Sequence, residues 1–391
     1  MTTAPCTLLT GATGLIGGDW LRAMVSRGGE RTFLVLTRSP ELFLGWQLVQ
    51  ALGCDLTDGA IPIAEEYLAR VTEIVHCAAD IRFGISLELA RAANVEGTRR
   101  MLDVARRCPR LRKFAHVSSV YAAGKLEGDF AERRFPPHAA FFNSYQQSKY
   151  EAEELVLDES RVPAAIFRLS SVIGNSRGEV QQFNYFHQLL KMIPNSGPVP
   201  MMPGNPLAPV DLIPSDWAVA ALDHLVEHSF EAGRIYHDCA GPSGSLAVRT
   251  LVDRAFHKFA MRPPRLVSRS DFERFAAEWT NGRSGVVGEM LRVLDRFLPH
   301  LALYQSFDNG RTRADLERAG IRMPAIESFY ERIIDYCVLT NWGKSPSTLA
   351  AADRSVDAAQ RMRRDAEPIE DLHARPASES PGEAAPLETA G

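Results

Sequence analysis

The stretch from Thr7 to Gly17 limits what this chain can fold into more than any other. Thr7-Leu8-Leu9-Thr10 is a short apolar and β-branched run, and it passes directly into Gly11-Ala12-Thr13-Gly14-Leu15-Ile16-Gly17, where a helical pattern begins. A strand that turns through glycine straight into a helix opens a βαβ unit. The glycines allow a tight turn and close approach of the backbone to a pyrophosphate. The helix start adds free N–H groups and the positive end of a dipole. Thr10, Gly11, Thr13, Gly14, Leu15, Ile16 and Gly17 are therefore the candidate phosphate cradle of a dinucleotide.

The pattern continues beyond this unit. Strands are predicted at Thr7 to Thr10, Thr32 to Leu36, Glu73 to His76, Lys113 to Ser118 and Ala164 to Leu169, with helices at Leu87 to Arg107 and Ser144 to Leu157. Alternating β and α elements predict an α/β, Rossmann-type doubly wound parallel sheet. From Gln181 to Pro209 the pattern dissolves into Pro, Met, Gly and aromatics, as expected of a segment that covers a pocket. Helical spacing returns at Ser215 to Glu227, Leu246 to Phe259, Ser270 to Trp279, Gly285 to Phe297 and Ala325 to Leu339, a smaller and mostly helical C-terminal substrate lobe. Lys344 to Gly391 has no aromatic residue and is rich in Ala, Ser, Pro, Glu and Arg; it reads as a disordered tail with a short helix near Leu349 to Arg364. The expected domains are 1–180, a cofactor-binding core, 181–343, a substrate lobe with segments returning to the core, and 344–391, the tail.

Composition removes several function classes. With 391 residues, 45% hydrophobic, the chain can bury a sizeable core. Its net charge is −4 and no dense basic tract occurs, which argues against nucleic acid as a partner. The six cysteines are scattered without a Cys-x-x-Cys pair, so reduced thiols and no metal are expected. Met1 to Pro5 lacks a leader pattern, and no apolar run approaches the ~18 residues of a membrane span. A cytoplasmic location follows as the expectation, with a homodimer left open.

Nicotinamide cofactors differ at the ribose 2′ position, which is read at the end of the second strand. Thr37 and Arg38 stand there. An arginine suits a 2′-phosphate where an acid would suit a hydroxyl, so NADPH is expected over NADH, against the plainer reading of Arg38 as a solvated loop residue. Asp55 in Gly53-Cys54-Asp55-Leu56 ends a predicted short strand and has two readings, an adenine contact or a turn or cap residue. Tyr145 and Lys149 lie four apart on one predicted helix face, where a cation can lower the pKa of a phenol and prepare it for proton transfer. Ser119 ends a strand at the carboxyl edge, 26 residues before Tyr145 (145 − 119).

Glycine turn, strand-end serine and Tyr-x-x-x-Lys, in this order and at these separations, resemble the extended short-chain dehydrogenase/reductases over residues 7 to 180. Val75-His76-Cys77-Ala78-Ala79 and Asn94-Val95-Glu96-Gly97-Thr98 also look like that family's cofactor loop and structural-Asn motif. Ala78 to Phe83, Asn94 to Met101, Ser144 to Glu153 and Val210 to Asp216 are similar to its fatty acyl-CoA reductase and thioester reductase branch, the male-sterility type. The resemblance implies that Tyr145 is the proton donor, that Lys149 holds the nicotinamide ribose and that Ser119 polarises the substrate carbonyl. It further implies that Leu56, Ala78, Ala79, Asn94 and Val172 lie along the cofactor. The implied activity is NADPH-dependent reduction of a CoA- or acyl carrier protein-bound thioester to an aldehyde or alcohol. Two alternatives stand beside it: an epimerase or dehydrogenase of a nucleotide sugar or steroid-like substrate, and a non-catalytic NADP-binding sensor.

Phe183, Tyr185, Phe186, Leu189, Met201 and Met202 have two readings, as an apolar trough for an acyl chain or as packing of the lobe. His76 and His116 are expected to be structural, and Cys77, without a base at a suitable spacing, not a nucleophile. Glu151, Glu153 and Glu154 are expected on a solvated helix face.

Overall fold

Strand β1 (Cys6–Thr10) is buried at all five positions, which requires cover on both faces of the sheet it belongs to. The computed structural model describes residues 4–59, 61–195, 200–280 and 301–345. Met1–Ser347 form one compact unit; the other, Thr348–Gly391, lies outside the described residues, as do the helices expected at Gly285 to Phe297 and Leu349 to Arg364.

The central sheet adds β2 (Thr32–Thr37), β3 (Val49–Gly53), β4 (Glu73–His76), β5 (Lys113–Ser119), β6 (Ala164–Leu169) and β7 (Ile235–Asp238). All seven strands run parallel in the order β3-β2-β1-β4-β5-β6-β7. The order reverses between β1 and β4, and the crevice outside the carboxyl ends at such a reversal is where open α/β sheets bind ligands. The glycine turn leaves β1 on one side of this switch point, and Ala78 and Ala79 follow β4 on the other.

Helices cover the sheet: α1 (Leu15–Arg27), α2 (Leu87–Arg91), α3 (Gly97–Arg107), α4 (Ser144–Leu157) and α6 (Ser215–His228). A π turn, Ala92–Glu96, joins α2 to α3. Under them Leu8, Leu34, Ile74, Phe114 and Ile166 of the sheet pack with Met101, Leu102 and Val156 of the helices. A second cluster of Ile173, Leu190, Leu251, Phe329, Ile333 and Cys337 is the core of the helical lobe, built from α5 (Tyr185–Met192), α7 (Val248–Lys258) and α10 (Glu327–Leu339). Two further helices are α8 (Arg269–Thr280) and α9 (Gly310–Arg318).

The segment from Gln181 to Pro209 is more ordered than its composition suggested. Asn184 starts α5 with a capping box, accepting from the Phe186 N–H at 3.0 Å while its own N–H donates to His187 Nδ1 at 3.0 Å. Eight residues are too few for a clear period, so the cap carried the signal. Likewise Leu246–Ala247 pair with Pro209–Val210 as a short antiparallel ladder before α7 begins. All six cysteines are free thiols. No helix among the described residues is long and apolar enough to cross a membrane.

Candidate active site

Gly11 has φ +73°, and a Cβ placed there would lie 2.6 Å from the Ala78 nitrogen, so backbone from both sides of the switch point meets at that atom. The Gly14 N–H donates to the Gly11 carbonyl at 3.0 Å and closes the turn. Gly14 then caps α1 without any side-chain bond, and the first turn of the helix holds no acidic residue. Thr13 and Gly14 are exposed and Leu15 and Ile16 half-buried. An open helix start with no carboxylate of its own, beside a turn that no side chain obstructs, fits the pyrophosphate of a dinucleotide.

A chain of hydrogen bonds ties this turn to the rest of the site. The Thr10 hydroxyl accepts from the Ala78 N–H at 3.2 Å and lies 2.7 Å from His76 Nδ1; His76 Nε2 lies 3.1 Å from the Thr98 hydroxyl, which donates to the Asn94 carbonyl at 2.7 Å. The Thr98 proton is thus committed, so His76 carries its hydrogen on Nε2 and accepts from Thr10 at Nδ1. Burial lowers its pKa to about 3, which keeps it neutral. Asn94 accepts from the Asp80 N–H at 2.7 Å and donates to the Asp80 carbonyl at 2.9 Å and the Ser148 hydroxyl at 2.8 Å. One buried amide therefore fixes the loop after β4 to α4.

Helix α4 carries Tyr145 and Lys149 to the end of β5. The Tyr145 hydroxyl is hydrogen-bonded to the Ser119 side chain. The Lys149 ammonium is buried, donates to the Val117 carbonyl at 2.8 Å and lies 3.5 Å from His116 Nε2. Ser119 and Tyr145 thus meet, with Lys149 one turn further along α4 against β5, and one expectation is corrected. Tyr145 is not acidified: burial pushes its pKa up to about 12, and the group that pulls it down is Ser119 rather than Lys149. At neutral pH it is a phenol holding its proton, a state that can donate. Burial meanwhile lowers Lys149 to about 8, so its charge is costly but present at neutral pH. Two hydroxyls on one point can hydrogen-bond a single developing oxyanion.

Arg38 is exposed at the end of β2 and makes no ion pair among the described residues, while its charge helps hold Asp55 below the usual carboxylate range. The main cause of that lowering is the Thr57 N–H, which donates to Asp55 Oδ1 at 2.8 Å, so Asp55 builds a turn here. Leu56 packs against the sheet core. Val172 pairs with Ile213, and its carbonyl accepts from the Asn184 amide at 2.8 Å.

Of the six residues proposed for an acyl trough, Tyr185 reaches the centre. Its ring stacks on Phe83 at 4.5 Å, and Phe83 stacks on Tyr145 at 5.6 Å. Phe183 and Phe186 pack on the lobe core, and Leu189 and Met202 pack around Phe272. His116 differs from its expected structural role in one respect: Nδ1 has no partner among the described residues. Cys77 is half-buried and its thiol is pushed up to about 12, so little thiolate is present at neutral pH. Glu153 is also corrected: it is buried against Arg168 rather than solvated. Sequence reasoning passed over Tyr121, whose N–H donates to Ser119 Oγ at 3.2 Å and whose hydroxyl lies 2.6 Å from Ser171 Oγ. Its place two residues after the strand-end serine was the available signal.

Residues 47–222 match the nicotinamide-binding family described as male sterility protein. The isonitrile lipopeptide synthase of Streptomyces coeruleorubidus is 26% identical over 87% of this chain. This chain spans a quarter or less of the length of the first curated relatives it matches. Among solved structures, the terminal R domain of the myxalamid PKS-NRPS biosynthetic pathway superposes with a TM-score of 0.69 at 24% identity, covering 89% of this chain and 94% of that one. A thiolation-reductase di-domain from an archaeal non-ribosomal peptide synthetase gives 0.66 at 17%, covering 86% and 76%.

Proposed function

We propose that the chain is an NAD(P)-dependent oxidoreductase of the extended short-chain dehydrogenase/reductase type that reduces an acyl thioester with NADPH, a reading supported by the male sterility match over residues 47–222 and by the likeness to reductase domains. The Ser119–Tyr145 hydroxyl pair carries this reading. The bound nicotinamide supplies hydride. Ser119 and Tyr145 hydrogen-bond the substrate oxygen as its negative charge grows, and their fixed placement lowers the barrier without reorganisation. Tyr145, protonated at neutral pH, hands its proton to that oxygen. For a thioester the resulting hemithioacetal then breaks its C–S bond, with the hydroxyl proton and the leaving sulfur giving a free thiol and an aldehyde. Lys149, Asn94 and the Thr10–His76 chain hold this geometry.

Arg38 supports NADPH over NADH, since an exposed guanidinium at the end of β2 is available to a 2′-phosphate. A carrier-protein thioester is the favoured substrate, because the archaeal di-domain places a reductase beside a thiolation domain in one chain. On this reading residues 1–180 hold the cofactor, 181–343 receive the acyl group and 344–391 serve as a linker.

The test is NADPH oxidation with acyl-CoA and acyl-carrier-protein thioesters of increasing length, beside NADH, with free thiol followed in the same cuvette. Equal molar thiol release and NADPH loss supports the reading and ranks the substrates. Cofactor binding without thiol release overturns it and points to an alcohol, ketone or nucleotide-sugar substrate.

A further inference from the structure

The two elements that carry Ser119, Tyr145 and Lys149, β5 and α4, meet β6 at one buried ion pair. Glu153 follows Lys149 by four residues and Tyr145 by eight, so α4 presents all three on one face. Its carboxylate receives Arg168 Nε at 3.1 Å on each oxygen and Nη2 at 2.7 Å, and accepts the Ser118 hydroxyl at 2.5 Å. Arg168 and Glu153 are 0% and 1% exposed. Arg168 also donates to the Arg133 carbonyl at 2.9 Å and to His237 Nε2 at 3.2 Å, and lies 3.6 Å over the Phe135 ring. His237 is neutral and accepts there, because its Nδ1 hydrogen goes to the Asp308 carbonyl at 2.7 Å. Ser118 directly precedes Ser119 on β5, and Arg168 in β6 precedes the turn that leads to Val172.

A buried ion pair is weak as a source of stability, because desolvating two charges offsets most of their attraction. Its position is more informative. We propose that Glu153, clamped by Arg168 and Ser118, is a positioning residue for this centre: it locks the catalytic face of α4 against β5 and β6 and supplies the negative charge that the Lys149 ammonium faces along its own helix. The role rests on the reading of Ser119, Tyr145 and Lys149 as the reacting trio. The other groups around Lys149 are the His116 ring and the neutral Cys77 thiol, with the neutral His76 beyond them. Glu153 raises the pKa of both Lys149 and Tyr145.

The experiment compares the full chain with Glu153→Gln, which keeps the shape and removes the charge. Lysine Cε labelling and NMR titration need no substrate, and the Lys149 resonance is identified by its loss in Lys149→Arg. The Lys149 midpoint should move to lower pH in Glu153→Gln. With a medium-chain acyl-CoA, kcat should fall about tenfold while the KM for NADPH stays within about twofold, as expected of a misplaced rather than an unbound centre. An unchanged Lys149 midpoint together with unchanged kcat would overturn the proposal, whatever the change in melting temperature. Should Glu153→Gln not fold, the apolar double variant Glu153→Leu/Arg168→Met strands no charge, and the same two readouts apply. Wild-type protein that releases no thiol overturns the thioester reading, and the Lys149 midpoint still decides the role of Glu153.

Discussion

Lys149 is held as a cation where a cation is disfavoured, and this has a sign that can be checked. Its pKa falls from an ordinary 10.5 to about 8 on folding. Between those values the unfolded chain binds a proton that the native one does not, so this group makes stability rise with pH across that window. Below it the full cost applies, roughly 3 kcal/mol by the size of the fall. Lys149→Met should therefore melt higher than wild type at pH 7, and its advantage should shrink toward pH 10; a constant difference across that range would contradict the sign. Turnover should decline over the same rise as Lys149 loses its charge. Tyr145→Phe should lower kcat by at least about 100-fold, the usual contribution of a positioned acid, with NADPH affinity within about twofold by fluorescence titration. The trio was legible because strand end and helix spacing fix where such residues fall. The protonation of Tyr145 was not, since burial is a property of what surrounds the ring: Phe83 arrives from another loop and no spacing along α4 announces it. Glu153 shows the same gap. Its spacing from Lys149 placed it on the catalytic face, but only a partner 15 residues on, in β6, turned that face inward.

Five of the seven sheet strands were legible as short apolar runs, whereas Ile235–Asp238 was not, because its second half is His237 and Asp238. The end of α4 at Leu157 and the extent of β4 and β6 follow from the chain directly. The helix expected from Leu87 to Arg107 is present with a change that no period reveals: the π turn at Ala92–Glu96 inserts extra backbone per turn. Asn94 lies inside it and so reaches both Asp80 and Ser148. Asn94→Ala should cost about 2 to 3 kcal/mol by leaving buried partners unpaired, and should lower kcat more than cofactor affinity because it frees the loop beside Tyr145 from α4. Chemical denaturation and initial rates measure the two effects separately. Short elements were hidden for the opposite reason. In Gln305–Phe307, paired with Gly128–Phe130, three residues have no period, and their partner is far away in the chain.

At the scale of the molecule, the described chain ends firmly: the Ser345 N–H donates to the Thr340 carbonyl at 2.9 Å, and Trp342 packs on the lobe core. A chain ending at Ser345 should keep wild-type kcat in the thioester assay; loss of turnover would assign a catalytic part to the remainder. Cutting at 180 should instead fail. Strand β7 pairs with β6 yet comes from Ile235–Asp238, and Glu132 accepts from the N–H groups of Arg311 and Thr312 at the start of α9. A 1–180 fragment therefore bares the long, fully buried edge of β6, and sedimentation should find it aggregated. The same topology sets a schedule for the growing chain. Residue 235 leaves the ribosome 66 residues after Leu169 (235 − 169), about 3 to 13 seconds at ordinary elongation rates. Through that interval the nascent sheet has an adhesive margin, open to pairing with a neighbouring chain until residues 235–238 arrive to cover it.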